Sequence, residues 1–254
     1  MKKRLLLLVC LAFICVSIGA FAKTQVGDQE GIWTLDGRDF QELEKAQQKN
    51  VEKESKQSVL KPHIVDKPIE WNETRIRLIH EYAQIHYGKD IDTIVPQMIV
   101  LHWTAADNWE GTYNYFYHSE GNYTEGGKLN VASHYLVDRD GTIYQLTPET
   151  ALNRHAIGYN WCAIGVENVG GVNGREDLTE EQIQANIALV KYLSAKYSTI
   201  RYVIGHYQQD KARSTGLYIE NLAGYHSDKI DPGAIFMSRI HAAFDGTDLI
   251  FFKE

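Results

Sequence analysis

Three residues suited to acid–base and metal chemistry each follow a short apolar run in this sequence. His102 follows the run MIVL, Glu167 follows CAIGV, and His206 follows YVIG. Runs of this kind predict buried β-strands. The carboxyl ends of neighbouring strands in an open α/β sheet converge on one crevice, where such folds place their ligands. We therefore expect these three side chains to lie close together.

Two more residues of this chemical kind stand near the C-terminus. In SDKIDPGAIF, Lys229 and Asp231 flank a single isoleucine. Two imidazoles and one carboxylate, with a fourth position left for water, form the ligand set of a catalytic zinc site. Such a site also uses a base and an electrostatic helper. Glu167 and Lys229 are residue types that can supply these two roles.

Other histidines and carboxylates offer alternative ligands. The zinc-protease motif H-E-x-x-H needs its second histidine four residues after the first, and in HEYAQIH that position is Gln84. His80 and His86 are six residues apart and point to different faces of a helix, so this motif predicts no metal site. The long stretch between His206 and Asp231 contains three further potential ligands: Asp210, His226 and Asp228.

Periodicity and turn signals predict an α/β fold with a mixed central β-sheet flanked by helices. ASHYLVD and TIYQL predict a β-hairpin that turns at Asp140–Gly141. Thr179 and Gln182 predict a capping box at the start of one helix. Another helix is predicted to begin after the N-cap Asn72 and to end at Gly88. Strands mixed with helices, one pair of them a hairpin, imply a mixed sheet.

The N-terminus has the three parts of a secretory signal. Three basic residues precede an apolar run over residues 5–18, and an A-F-A sequence ends at Ala22. The run is shorter than the roughly 20 residues that span a bilayer, which favours cleavage over a retained anchor. We therefore expect export to the periplasm or the extracellular cell envelope of a bacterium, without stable membrane insertion after cleavage. Cleavage would leave Cys162 as the single cysteine and exclude an internal disulfide.

Composition predicts four regions along the chain. They are a signal peptide over residues 1–22, a polar extension over 23–70, a helix packing on the core over 71–95, and the main domain over 96–254. Loss of the three basic signal residues would leave 23 Lys and Arg against 33 Asp and Glu. This acidic balance argues against a nucleic-acid partner, which calls for a basic patch.

Six ordered motifs carry a family resemblance. VLHWTA, ASHYLVDRDGTIYQL, RHAIGYN, AIGVENVGG, VIGH and DKIDPGAIF resemble, over about residues 96–240, the zinc-dependent N-acetylmuramoyl-L-alanine amidases, which are related to the peptidoglycan recognition proteins. The resemblance implies that His102, His206 and Asp231 bind Zn²⁺. It also implies that Glu167 is the catalytic acid and base and that Lys229 stabilises the oxyanion.

The same resemblance suggests residues that contact the substrate. His155 in RHAIGYN matches a cleft histidine of the family and is predicted either to bind substrate or to support a ligand. Asn168 follows Glu167 and could bind substrate or cap the strand end. For His134 a supporting role and a core role are equally open.

The function implied is hydrolysis, by a zinc-bound water, of the amide between the lactyl group of N-acetylmuramic acid and L-alanine in peptidoglycan or muropeptides. Two alternatives are a non-catalytic muropeptide-binding module and another zinc peptidase on the same scaffold. A binding module would be expected to lack a ligand or the base, whereas this chain has all five residues.

Overall fold

A computed structural model of the chain describes residues 59–123 and 125–252. The strands are β1 (Ile64–Asp66), β2 (Met98–Trp103), β3 (Tyr135–Val137), β4 (Ile143–Gln145), β5 (Ala163–Asn168), β6 (Tyr202–Gly205) and β7 (Ile250–Phe251). The α-helices are α1 (Glu73–Tyr87), α2 (Trp109–Tyr117), α3 (Glu180–Lys196) and α4 (Ala234–Ala242). The predicted signal peptide and most of the predicted polar extension lie outside these residues.

The strands form one mixed sheet in the order β1-β4-β3-β5-β2-β6-β7. Within the described residues β3 and β4 pair antiparallel, as the predicted hairpin requires, and the other neighbouring strands run parallel. The predicted mixed α/β fold is confirmed. No helix in the described part of the chain combines the length and the apolar character needed to cross a membrane.

The central strand β2 aligns the residues predicted to do chemistry. All six of its residues are buried, and it pairs in parallel with β5 and with β6. His102 lies opposite Glu167 in the register of the first pair, and Leu101 lies opposite Gly205 in the second. His206 follows Gly205 directly, so all three predicted residues reach the same end of the sheet.

Helix α1 packs on the main core and has the predicted ends. The Asn72 side chain accepts a hydrogen bond from the backbone N–H of Arg75 at 2.9 Å. At the other end Gly88 adopts the left-handed conformation, with φ of 62°, that glycine tolerates best. Leu78 and Tyr82 on the buried face are at most 2% exposed and join the largest apolar cluster.

The predicted polar extension over residues 23–70 is too long at its C-terminal end. Residues 64–66 form β1, which pairs in parallel with β4 at the edge of the sheet. The pairing continues through the backbone N–H of Lys67, which donates to Gln145, and Ile69 is 3% exposed. The polar composition hides this strand because it is short and its side chains are only partly buried.

A buried ion pair fastens the segment over residues 207–230 to helix α1. The Glu220 carboxylate lies 2.8 and 2.9 Å from Nδ1 of His86, and Nε2 of the same ring donates to Gly126 O at 3.0 Å. The side chains of His86 and Glu220 are 0% and 3% exposed. The backbone N–H of Asn221 also donates to His86 O. The segment is thus held by contacts shielded from water.

We expect His86→Leu to lower the free energy of unfolding by about 3 kcal/mol or more, because removing one partner leaves the other charge buried and unpaired. The matched control is His80→Leu on the same helix. His80 pairs with Asp90, but those side chains are 38% and 84% exposed, and such surface pairs contribute about 1 kcal/mol or less. Urea unfolding of both variants measures the difference, and equal losses would contradict the buried pair.

Candidate metal centre and active site

Three predicted ligands converge at the carboxyl end of the central strands. Nδ1 of His102 lies 2.9 Å from Nδ1 of His206, and each nitrogen lies 3.2 Å from Oδ2 of Asp231. The three residues are buried, with exposures of 2%, 5% and 8%. Of the residues that the structure describes, these are the ones grouped closely enough to hold a metal ion.

The spacing of the three donor atoms fits a zinc ion. Nitrogen and oxygen ligands bind zinc at about 2.0–2.2 Å, so two ligands in a tetrahedral site stand roughly 3.3 Å apart. The observed triangle of 2.9, 3.2 and 3.2 Å is close to that size. Two imidazoles and one carboxylate also leave the fourth tetrahedral position for water or substrate. The donor set therefore fits zinc in chemistry and in size.

Backbone contacts bring Asp231 to the histidines across a long insertion. The N–H of Tyr207, next to His206, donates to the backbone oxygen of Asp231 at 2.9 Å. Gly205 allows this approach, because a Cβ there would meet the side chains of Tyr207, Met237 and Pro232 within 3.0 Å. The two ends of the insertion are therefore joined by this hydrogen bond, and Asp231 lies next to the end of β6.

The alternative ligands in the insertion are not grouped with His102 and His206. The Asp210 carboxylate pairs with Arg213 at 2.9 Å and with His226 at 3.3 Å, and the Asp228 side chain is fully exposed. None of the three lines the cleft together with His102. Of the four candidates, Asp231 is the one that lies beside His102 and His206.

The Glu167 side chain lines the same cleft as the three predicted ligands. Its Oε2 atom is buried and has no hydrogen-bond partner among the described residues. Burial, and next the negative charge of Asp231, hold the pKa of Glu167 well above its usual range, while Lys229 opposes them. Burial would also raise the pKa of Asp231, but its close contacts with the rings of His102 and His206 outweigh that effect and hold that pKa well below its usual range.

Lys229 lies on the rim of the same cleft. Its side chain lines the cleft with Glu167 and the three predicted ligands. The residue is exposed, and its positive charge is near enough to the Glu167 carboxyl to oppose part of the rise in the pKa of that group. An ammonium group there can approach an oxygen that becomes negative beside the three predicted ligands.

His155 contacts a predicted ligand. Its Nδ1 lies 3.1 Å from Nε2 of His102, and its own Nε2 lies 3.1 Å from the backbone oxygen of Ala163. The rings of His102 and His155 meet edge to face at 88°. Burial, then the proximity of His102, holds the pKa of His155 well below its usual value, so the ring is neutral. Of the two predicted roles, this contact favours support of a ligand.

Asn168 differs from its predicted role in substrate binding. It is 0% exposed, and strand alternation turns it to the face opposite Glu167. Its amide nitrogen donates to His102 O at 2.9 Å, and its oxygen accepts from Asn186 on α3 at 2.6 Å. Both polar groups are therefore used within the protein. The sequence does not reveal this, because adjacent residues of a strand point to opposite faces and the sequence does not show which face borders the cleft.

His134 has a structural place. Its Nδ1 accepts the backbone N–H of Gly165 at 3.0 Å, and its Nε2 donates to Ala151 O at 2.9 Å. Burial lowers the pKa of this ring to about 4, so it is neutral at ordinary pH. Both nitrogens are hydrogen-bonded to backbone groups. Of the two roles that the sequence leaves open, this arrangement matches the core role.

A comparison with known families shows to which protein family the chain belongs. The model of a family described as N-acetylmuramoyl-L-alanine amidase matches residues 92–234, more than half of the chain and all five residues of the centre. The chain belongs to this family. The finding agrees with the resemblance that the sequence motifs carry.

Phage endolysins and a bacterial amidase are among the proteins to which this amidase-family chain is similar. It is similar to the endolysin of Escherichia phage T7, with 39% identity over 77 residues, or 29% of this chain and 51% of the endolysin. The endolysin of Klebsiella phage KP32 is 35% identical over 78 residues, or 29% and 52%. The chain thus spans about half the length of the curated relatives it matches. Among solved structures, it is similar to the endolysin amidase LysCS of Clostridium intestinale URNW, with 25% identity, a TM-score of 0.40, and coverage of 59% and 84%.

Sequence patterns do not single out several residues that line the cleft of this amidase-family chain. The main cleft, of about 440 Å³, includes Arg154 and Tyr115, and an adjoining part of about 290 Å³ includes Tyr82 and Tyr225. Tyr82 has the spacing of a core residue on α1, and Tyr225 stands in a stretch without periodicity. Arg154 precedes His155 within a motif, which is the one available signal.

We expect metal-free Glu167→Gln to be more stable than the parent protein at neutral pH. A carboxyl whose pKa is raised by folding stabilises the native state below its unfolded pKa, near 4.5, and loses that contribution as the pH rises through the raised value. The advantage of the variant should therefore grow as the pH rises above 4.5. Denaturant unfolding with a chelator present, at pH 5 and pH 8, measures it. A difference that does not change with pH would contradict the burial of this charge.

Proposed function

We propose that this protein hydrolyses the amide between the lactyl group of N-acetylmuramic acid and L-alanine in peptidoglycan or muropeptides, with Zn²⁺ held by His102, His206 and Asp231. The observation that carries the proposal is the triangle of donor atoms beside the unpaired Glu167 carboxyl. Family membership supports the same reaction. When bound, zinc would supply a Lewis acid that lowers the pKa of water to about 7 and polarises a carbonyl group.

Glu167 is the proton carrier in this proposal. It removes a proton from the attacking water and returns it to the departing alanine nitrogen. Its buried position and raised pKa suit a group that must both accept and donate a proton near neutral pH. A protein that only binds muropeptides needs no carboxyl with a raised pKa beside the three predicted ligands, so the site favours the enzyme.

Lys229 stabilises charge in the transition state. Its ammonium group lies on the cleft rim, where it can approach the carbonyl oxygen as that oxygen becomes negative. One such donor commonly contributes about 3 kcal/mol to lowering the barrier. The oxyanion-stabilising Lys229, the base Glu167 and the metal ligands then lie around one amide bond.

The predicted signal peptide over residues 1–22 fits this substrate, because peptidoglycan lies outside the bacterial cytoplasmic membrane. We infer that the protein is exported and acts in the cell envelope. The acidic overall charge gives no reason to expect a nucleic-acid partner.

Parallel digestion of purified sacculi and soluble muropeptides tests the function. We expect release of stem peptides with a free L-alanine amino terminus and an intact glycan, identified by mass analysis. A chelator should abolish the release and added Zn²⁺ should restore it. New reducing sugar ends, or cuts within the peptide, would overturn the proposal.

Two aspartates close in sequence provide the matched variants for this digestion. Asp231→Asn should lose stoichiometric zinc and activity, because two histidines alone hold the ion poorly. Asp228→Asn, at a fully exposed side chain in the same segment, should keep both. Metal analysis of the purified variants measures zinc directly. Full zinc in Asp231→Asn would show that another residue is the third ligand.

We expect Lys229→Met to bind zinc normally, to keep KM within a few-fold, and to lose about a hundredfold in kcat. A group that acts in the transition state lowers kcat and kcat/KM together when it is removed. Lys229→Arg, which keeps the positive charge, is the control and should retain more activity. A loss confined to KM would make Lys229 a substrate-binding residue, and no loss would return it to the solvated surface.

A further inference from the structure

The orientation of the His102 ring depends on a chain of hydrogen bonds that begins at the backbone of β5. The oxygen of Ala163 can only accept, so the His155 nitrogen 3.1 Å away, Nε2, must carry the proton. In a neutral imidazole the other nitrogen is then an acceptor. Nδ1 of His155 therefore accepts from Nε2 of His102, which lies 3.1 Å away.

The same reasoning fixes the proton on His102. If Nε2 of His102 donates to His155, the ring can present an unprotonated Nδ1 atom to a metal ion. That is the atom 2.9 Å from Nδ1 of His206 and 3.2 Å from the carboxylate of Asp231. A metal ligand must present a free lone pair, and the hydrogen bond at the other ring nitrogen decides which atom has it.

Local structure places His155 for this contact. The side-chain oxygen of Asn160 accepts the backbone N–H groups of His155 and Ala156 at 2.9 and 2.7 Å. Gly165 leaves room for the imidazole, since a Cβ there would lie 2.7 Å from its Cγ and Nδ1 atoms. The ring thus fills the space between β5 and His102 that the missing Cβ of Gly165 leaves open.

We propose that His155 is a positioning residue that sets the tautomer and the ring orientation of His102, and thereby the affinity of the three-ligand centre for zinc. The proposal rests on the proposed metal role of His102. It differs from substrate binding by His155, because the effect is present before any substrate arrives. Residues that hold a ligand in this way commonly change metal affinity by about 10- to 100-fold when removed.

The test measures the zinc dissociation constant by competition with a chromophoric chelator. His155→Leu, which removes the acceptor, should bind zinc about 10- to 100-fold more weakly than the parent protein. His155→Asn, whose side-chain oxygen can stand near the position of Nδ1, should recover part of that loss. The control is His86→Leu, which removes a buried histidine that is hydrogen-bonded to Glu220 and Gly126 and not to the three predicted ligands. It should leave zinc affinity within about threefold even where it lowers stability.

A spectroscopic readout keeps the test independent of folding yield and of activity. In zinc-loaded, ¹⁵N-histidine-labelled parent protein, long-range proton–nitrogen spectra should show His102 protonated at Nε2 and bound through Nδ1. In His155→Asn the same tautomer should persist with faster exchange of the Nε2 proton. The opposite tautomer in the parent protein would overturn the proposal.

Two further outcomes separate this proposal from the function on which it rests. Parent-like zinc affinity in both His155 variants, with a raised KM, would overturn the positioning role and make His155 a substrate contact, with the zinc enzyme intact. Absence of zinc binding by the parent protein would overturn the proposed function itself and the positioning role with it.

Discussion

Parallel pairing of β2 with β5 and β6 is the interaction on which the centre depends. The three strands bring their carboxyl ends to one edge, and the register sets His102 opposite Glu167 and one residue beyond the Leu101–Gly205 pair. A shift by one residue would turn each of these side chains to the other face of the sheet. The apolar residues of β2 hold that register, since all of them are buried. The core therefore fixes the geometry of the polar residues that follow it.

The centre concentrates polar groups where burial makes them costly. Burial holds the pKa of Glu167 high, whereas close contacts with the rings of two histidines hold the pKa of Asp231 low. Two carboxyls in one cleft thus acquire different chemistry from their surroundings, as in enzymes that need both an acid and a permanent anion. Such local conflict with stability is typical of functional sites and is compensated elsewhere in the fold.

The insertion between β6 and Asp231 becomes part of the cleft because contacts fix both its two ends and its middle part. The hydrogen bond from Tyr207 to Asp231 closes its base, and the His86–Glu220 pair holds its far part on α1. Loop-closure entropy grows slowly with length, so a long insertion closed in this way costs little more than a short one. Tyr225, carried by the insertion, accepts a hydrogen bond from Arg154 at 2.6 Å and completes the adjoining part of the cleft.

Sequence alone determined the elements that depend on local signals. The hairpin at Asp140–Gly141, the capped ends of α1 and the capping box at Thr179 all formed where predicted, because turn and cap residues act over a few positions. Apolar runs ending in His102 and His206 indicated that these residues would meet.

Only the tertiary structure decided matters that depend on distant contacts. It grouped Asp231, rather than the carboxylates of the insertion, with His102 and His206, turned Asn168 away from the cleft, and joined β1 to the sheet within a polar stretch. It also placed His155 against His102. In each case the deciding contact is made by residues far apart in the chain. Local spacing and composition do not specify such contacts, because these depend on how distant segments pack and on which face of the sheet each side chain lies.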